Sequence, residues 1–185
     1  TFLKGIIPSA GRIVGYKSEQ MPMIGEDGQQ KMVAVRGNLL ERMLLPNGVA
    51  LSASRYATQP RMEADMVVVV RSAAIHDEQT PREVLASLSA IIPFIELPDL
   101  AYQDYAQMNA ADATVVNANA RFGVLGTPIP INVDQEMVDQ LAEMTVRLTD
   151  KDGNELEAVK GSSLQGNPLN AVLWQIQDLE KAGIR

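Results

Sequence analysis

The stretch that most limits how this chain can fold is Gln59-Pro60-Arg61-Met62-Glu63-Ala64-Asp65, which runs straight into Met66-Val67-Val68-Val69-Val70. Four successive valines read as a strand, because β-branched side chains sit well on a pleated surface and lose freedom in a helix. The run is too apolar for a surface strand, so it predicts one buried on both faces. Side chains alternate along a strand, so Glu63 and Asp65 point the same way. Two like charges so close repel each other unless something positive lies between them. A third carboxylate, Glu96, stands in a second apolar stretch, Ile91-Ile92-Pro93-Phe94-Ile95-Glu96-Leu97. Three carboxylates in a chain without cysteine make an oxygen-only donor set, which suits a hard cation such as Mg2+. Acidic residues also end ordinary surface strands, and spacing alone does not choose between the two readings.

A length of 185 residues suggests a single domain over 1–185, large enough for a sizeable core. Aromatic residues make up only 4% while methionine occurs 9 times, so the core is expected to be Val, Ile, Leu, Met and Ala. The net charge of −7 argues against nucleic acid as a partner, since no basic excess can displace counterions from phosphates. A small anionic substrate is still possible, because a metal and one lysine reverse the field locally. With no cysteine, disulfides and thiolate chemistry are excluded. No apolar run reaches the roughly 18 residues that a membrane span needs, so no membrane partner is expected.

Along the chain, residues 11–17 read as a short strand ending at Lys17, which by itself reads as a solvated lysine. Residues 18–35 carry Pro22, Gly25 and Asp27-Gly28 with few apolar repeats, which predicts a long loop, a candidate lid. Pro46-Asn47-Gly48 is a turn, and residues 49–58 form a polar connection. Arg61 either neutralises the carboxylates or is exposed. His76, the one histidine, reads as a surface residue. Thr80-Pro81-Arg82-Glu83 is a capping box, and the apolar spacing after it predicts a helix over 81–90. A short helix or turn is expected over 102–111 and a strand over 121–126. Residues 134–143 space their apolar side chains helically, and 145–160 read as a hairpin turning at 150–154. Asn167 and Pro168 open a helix with an apolar stripe that ends near Gly183.

Gln59-Pro60-Arg61-Met62-Glu63-Ala64-Asp65 followed by Phe94-Ile95-Glu96-Leu97-Pro98-Asp99 resembles the metal-binding pattern of the fumarylacetoacetate hydrolase superfamily. Within it the chain is most similar to the 2-keto-4-pentenoate hydratase and 4-oxalocrotonate decarboxylase branch. Gly11-Arg12-Ile13-Val14-Gly15-Tyr16-Lys17, Met43-Leu44-Leu45-Pro46-Asn47-Gly48, Val124-Leu125-Gly126 and Gly166-Asn167-Pro168-Leu169-Asn170 agree in the same order. The resemblance implies a mixed α/β fold with a β-rich roll core flanked by helices. It implies a lyase that acts on a small 2-keto acid from aromatic-compound catabolism through a metal-stabilised enolate. Mg2+ or Mn2+ would be held by Glu63, Asp65 and Glu96. Lys17 would hold the keto acid or relay a proton, Glu41 would serve as acid or base, and Asn117 would face the substrate or else satisfy loop backbone. A cytoplasmic homo-oligomer is expected. Measured against the family pattern the chain is short at both ends, and residues 1–10 lack the shape of a signal peptide.

Hydrolases of this superfamily pair a histidine with a glutamate near the metal, and the poorly placed His76 favours a hydratase or decarboxylase instead. The chain also departs from the pattern. Asp65 replaces a glutamate, Arg42 an acid, Val116 an aspartate and Asn119 a serine, while Ser18-Glu19-Gln20 stands where a Gly-Leu-Thr-like stretch follows the lysine. These substitutions keep a third expectation open: a catalytically altered protein that binds a keto acid or only assembles with partners.

Overall fold

The computed structural model describes residues 11–25, 27–101 and 108–185. In chain order the elements are β1 (Ile13–Ile24), β2 (Gln30–Leu40), β3 (Leu44–Leu45), α1 (Ala53–Tyr56), β4 (Glu63–Val70), α2 (Pro81–Ala86), β5 (Leu88–Leu97), α3 (Ala110–Val115), β6 (Phe122–Leu125), β7 (Ile129–Pro130), α4 (Gln135–Glu143), β8 (Thr145–Thr149), β9 (Glu155–Lys160) and α5 (Pro168–Lys181). The expected mixture of strands and helices is what the chain forms. Where its length suggests one domain, its contacts divide it into two compact units.

The first unit holds the described residues up to Glu63 and those between Ile95 and Leu125. Its main feature is the antiparallel hairpin of β1 and β2, in register with Tyr16 opposite Asn38, Lys17 opposite Gly37 and Glu19 opposite Val35. The hairpin corrects the loop expected over residues 18–35, of which only the turn between the strands remains, closed by the Gly28 N–H donating to the Gly25 carbonyl at 2.9 Å. Alternation was the missed signal. Lys17, Met21 and Met23 fall on one face and are buried, and Val35 of the partner strand is buried with them. Pro22 is tolerated because a two-stranded ribbon leaves an edge where its missing N–H is not needed. The core of this unit is Met21, Met23, Val35, Met108, Ala113 and Ala118. Within the same unit β3 pairs in parallel with β6, Leu44 opposite Gly123.

The second unit holds 64–94 and 126–185. Here β5 pairs antiparallel with β7, Ile91 opposite Ile129. Thr80 caps α2: its hydroxyl accepts from the Glu83 N–H, and the Glu83 carboxylate accepts from the Thr80 N–H. The helix ends at Ala86, four residues before the expected stop. Leu88 and Ile91, spaced as helix residues, pack instead from a strand whose β-branched Ile91 and Ile92 suit it. Strand β4 is half-buried between an exposed Glu63 and an exposed Val70, which corrects the expectation of burial on both faces. The helices α4 and α5 form as expected, α5 from its Asn167 cap and α4 from an Asp134 cap that the spacing alone did not name, and β8 and β9 form the expected hairpin. Val84, Leu85, Leu88, Ile91, Val138, Leu141, Leu169 and Ile176 close an aliphatic core. His76 is not a plain surface residue: its ring is partly buried in the turn at Ala73–Asp77, and its Nδ1 has no hydrogen-bond partner among the described residues. The expectation for 102–111 lies mostly outside the described residues. Among them, no helix is long and apolar enough to cross a membrane.

Candidate active site

The chemistry of the first unit centres on Lys17. Strand alternation turns its side chain inward, and it is 8% exposed. Its stem passes over Gly37, directly opposite on β2. A Cβ at Gly37 would stand 2.9 Å from the Lys17 Cγ and 2.7 Å from the Asn117 carbonyl, so only glycine leaves room for both. The Lys17 ammonium donates to Glu96 Oε1 at 2.5 Å and to Glu19 Oε2 at 2.9 Å. Glu96 is itself buried, 3% exposed, near the end of β5. Burial alone pulls the Lys17 pKa down, but the Glu96 and Glu19 carboxylates outweigh it and hold the group above the ordinary lysine value. Lys17 is therefore a standing buried cation rather than the solvated residue that its position suggested.

Glu63 is exposed at the start of β4. An antiparallel bridge joins Pro60 to Asp99, and the Arg61 N–H donates to the Pro98 carbonyl. Asp99 fixes this entry by accepting the Thr58 and Gln59 N–H groups on one oxygen. The sequence motif contains Asp99, but nothing in the spacing announced this role. Arg61 is exposed and donates to the Pro60 carbonyl.

Asp65 lies in the second unit, half-buried, with Oδ1 accepting from the Met66 N–H at 2.7 Å. It lines a cavity of about 240 Å³ together with Met144, Val146, Lys160, Ser163 and Pro168. Among the described residues no group of three or more acidic or histidine side chains is gathered to hold a metal ion. The donor chemistry of Glu63, Asp65 and Glu96 fits a hard cation, being carboxylate oxygen throughout.

Asn117, 2% exposed, opens a left-handed turn in which Asn117, Ala118 and Asn119 have φ of 58°, 48° and 57°. Such backbone is strained for Ala118 and easier for asparagine. The turn aims the Asn117 amide at β2: Oδ1 accepts from the Asn38 N–H at 2.7 Å and Nδ2 donates to the Asn38 carbonyl at 3.0 Å. Asn117 thus pins the strand beside Gly37, engaging strand backbone where the sequence offered loop backbone as one alternative. Glu41 and Arg42 are exposed in a single turn after β2, with the Glu41 side chain against Gly11. The residue that the sequence did not single out as a site is Glu19. The signal for it was its place two residues from Lys17 on a strand.

No family profile matches the chain. It is 27% identical over 150 residues to the 2-hydroxypent-2,4-dienoate hydratase of Pseudomonas putida, covering 80% of this chain and 64% of that protein. It is 27% identical over 149 residues to the 2-hydroxyhexa-2,4-dienoate hydratase of Comamonas testosteroni, covering 80% of this chain and 54% of that protein. The chain thus spans less than two thirds of the length of these relatives. Its fold is that of the 4-oxalocrotonate decarboxylase from Pseudomonas putida G7, solved with magnesium and adipate (TM-score 0.73, 21% identity, 98% of this chain and 66% of that one). The same enzyme with calcium and acetate matches at a TM-score of 0.69. The relatives are hydratases of the kind that the motifs resemble, and the fold is shared with a 4-oxalocrotonate decarboxylase.

Proposed function

We propose that this chain is a lyase for a small 2-keto acid and that it adds water to a 2-keto-4-pentenoate-type compound. The observation that carries the proposal is the buried Lys17–Glu96 pair, in a chain related to hydratases of such dienoates. A divalent cation, Mg2+ or Mn2+, held by Glu63, Asp65 and Glu96 would supply charge stabilisation for the enolate. Lys17 offers a fixed positive charge to the substrate's carboxylate end. Glu41 would carry the proton that leaves one carbon and returns to another. Asn117 and Gly37 act indirectly, holding β2 where the Lys17 stem can pass. Decarboxylation is the second reading, supported by the likeness to the decarboxylase fold. Departing CO2 leaves its bonding electrons in the same kind of enolate, so one site serves either reaction. Assembly as a homo-oligomer belongs to the same reading.

Purified protein with Mg2+ should consume 2-hydroxypenta-2,4-dienoate, and Glu63→Ala should lower both the bound metal per chain and the turnover. If 2-oxohex-3-enedioate releases CO2 while the dienoate stays intact, the decarboxylase reading takes its place. Silence on both substrates with no metal retained would overturn the lyase proposal and leave a catalytically altered protein.

A further inference from the structure

We propose that Glu19 is a positioning residue: it keeps the Lys17 ammonium in place when Glu96 is engaged by the divalent cation. The inference rests on the reading of Glu96 as a metal ligand and adds to it a residue that acts through the lysine. The Lys17 ammonium donates to Glu96 at 2.5 Å and to Glu19 at 2.9 Å, and all three residues belong to the first unit. Lys17 and Glu96 are buried, and the Glu19 side chain is 19% exposed. The lysine stem passes close over Gly37, which confines the ammonium to the neighbourhood of the two carboxylates.

Two demands meet on Glu96. A divalent ion on its carboxylate draws on the same negative charge that holds the lysine, and the two cations repel each other across it. A buried ammonium that loses its partner finds little water in exchange, and breaking such a pair is strongly destabilising. With Glu96 as sole partner, Lys17 would therefore oppose the metal. Glu19 relieves that opposition. It stands two residues from Lys17 on the same face of β1, opposite Val35 in the hairpin register. It gives the ammonium a charge-assisted hydrogen bond that the metal does not share. Ser18-Glu19-Gln20 is also where the chain departs from the family pattern, so this second carboxylate is the chain's own.

The test is Mg2+ affinity, measured by calorimetry on the whole protein. The chains compared are the native one, Glu19→Gln, Glu19→Asp, Lys17→Met and the double variant Lys17→Met with Glu19→Gln. Glu19→Gln should bind Mg2+ about tenfold more weakly than the native chain. Glu19→Asp, which keeps the charge, should recover most of that loss. In the Lys17→Met background Glu19→Gln should cost about twofold or less, because no ammonium is left to hold. Thermal melts without metal check each fold, and a residue serving the fold alone would lower the melt and leave the affinity unchanged. If Lys17→Met does not fold, the contrast between Glu19→Gln and Glu19→Asp decides. Native affinity in Glu19→Gln, equal losses in Glu19→Gln and Glu19→Asp, or the same tenfold loss in the Lys17→Met background would overturn this proposal and leave the metal site standing. A native protein that binds no Mg2+ would overturn both.

Discussion

The two units keep their interiors by different means. The second closes on aliphatic side chains, with Val84 and Leu85 fully buried and Leu88 and Leu169 nearly so. The first buries methionine, alanine and an ion pair, with Lys17 and Glu96 both less than a tenth exposed. Apolar burial is non-directional and survives small shifts in packing. A buried charge is tolerated only while its partner stays in place, because removing one member leaves the other unsolvated. The first unit therefore gives up packing freedom to hold a cation at a fixed point, which is a property of a site rather than of a core.

The largest effect should come from breaking the ion pair. Lys17→Met should destabilise the protein by about 3–5 kcal/mol and abolish lyase activity. The double variant Lys17→Met with Glu96→Leu should regain most of that stability in urea titrations but none of the activity. Recovery of activity would show that the charges serve the fold alone. Leu85→Ala tests the other side of the comparison. It should destabilise by about 2–5 kcal/mol by opening a cavity, while turnover per folded molecule stays near the native value. A selective loss of turnover at unchanged stability would erase the contrast between the units.

The smallest effect lies at the α2 cap. Thr80→Ala should destabilise by about 1 kcal/mol. The Glu83 pKa is lowered by hydrogen bonds from the Gln79 N–H, the Thr80 side chain and the Thr80 N–H. A depressed carboxylate contributes stability that is present above its unfolded pKa and is lost as pH falls through its folded pKa. Urea midpoints below neutral pH should thus fall more steeply with acid in the native chain than in Glu83→Gln. Equal slopes would mean that the cap carries no linked proton.

Much of the second unit was legible in advance, and little of the first. Thr80 and Asn167 announce helix starts because a capping side chain meets an N–H only two or three residues away. The β8–β9 hairpin is equally local, closing at 150–154. By contrast, residues 18–35 carry turn-forming residues in their middle and no continuous apolar run, and their pairing is decided by a partner strand beyond the turn. The helix begun at Pro81 stops at Ala86 for a related reason: Ser87 accepts from the distant Arg71 N–H, and Ala90 pairs with Pro130 of β7. Of the candidate site, the motif named Lys17, Glu63 and Glu96 as chemistry-bearing residues. It did not name Glu19 as a second carboxylate on the lysine, and it left open that Asn117 is engaged by the backbone of Asn38.

What the sequence determined alone is the set of charged groups and the capped helices. These depend on neighbours a few residues apart. What only the tertiary structure decided is which charges meet. Lys17 and Glu96 are 79 positions apart and pair at 2.5 Å. Coulomb attraction in a buried site depends on spatial separation and desolvation, and neither is written in the order of the residues.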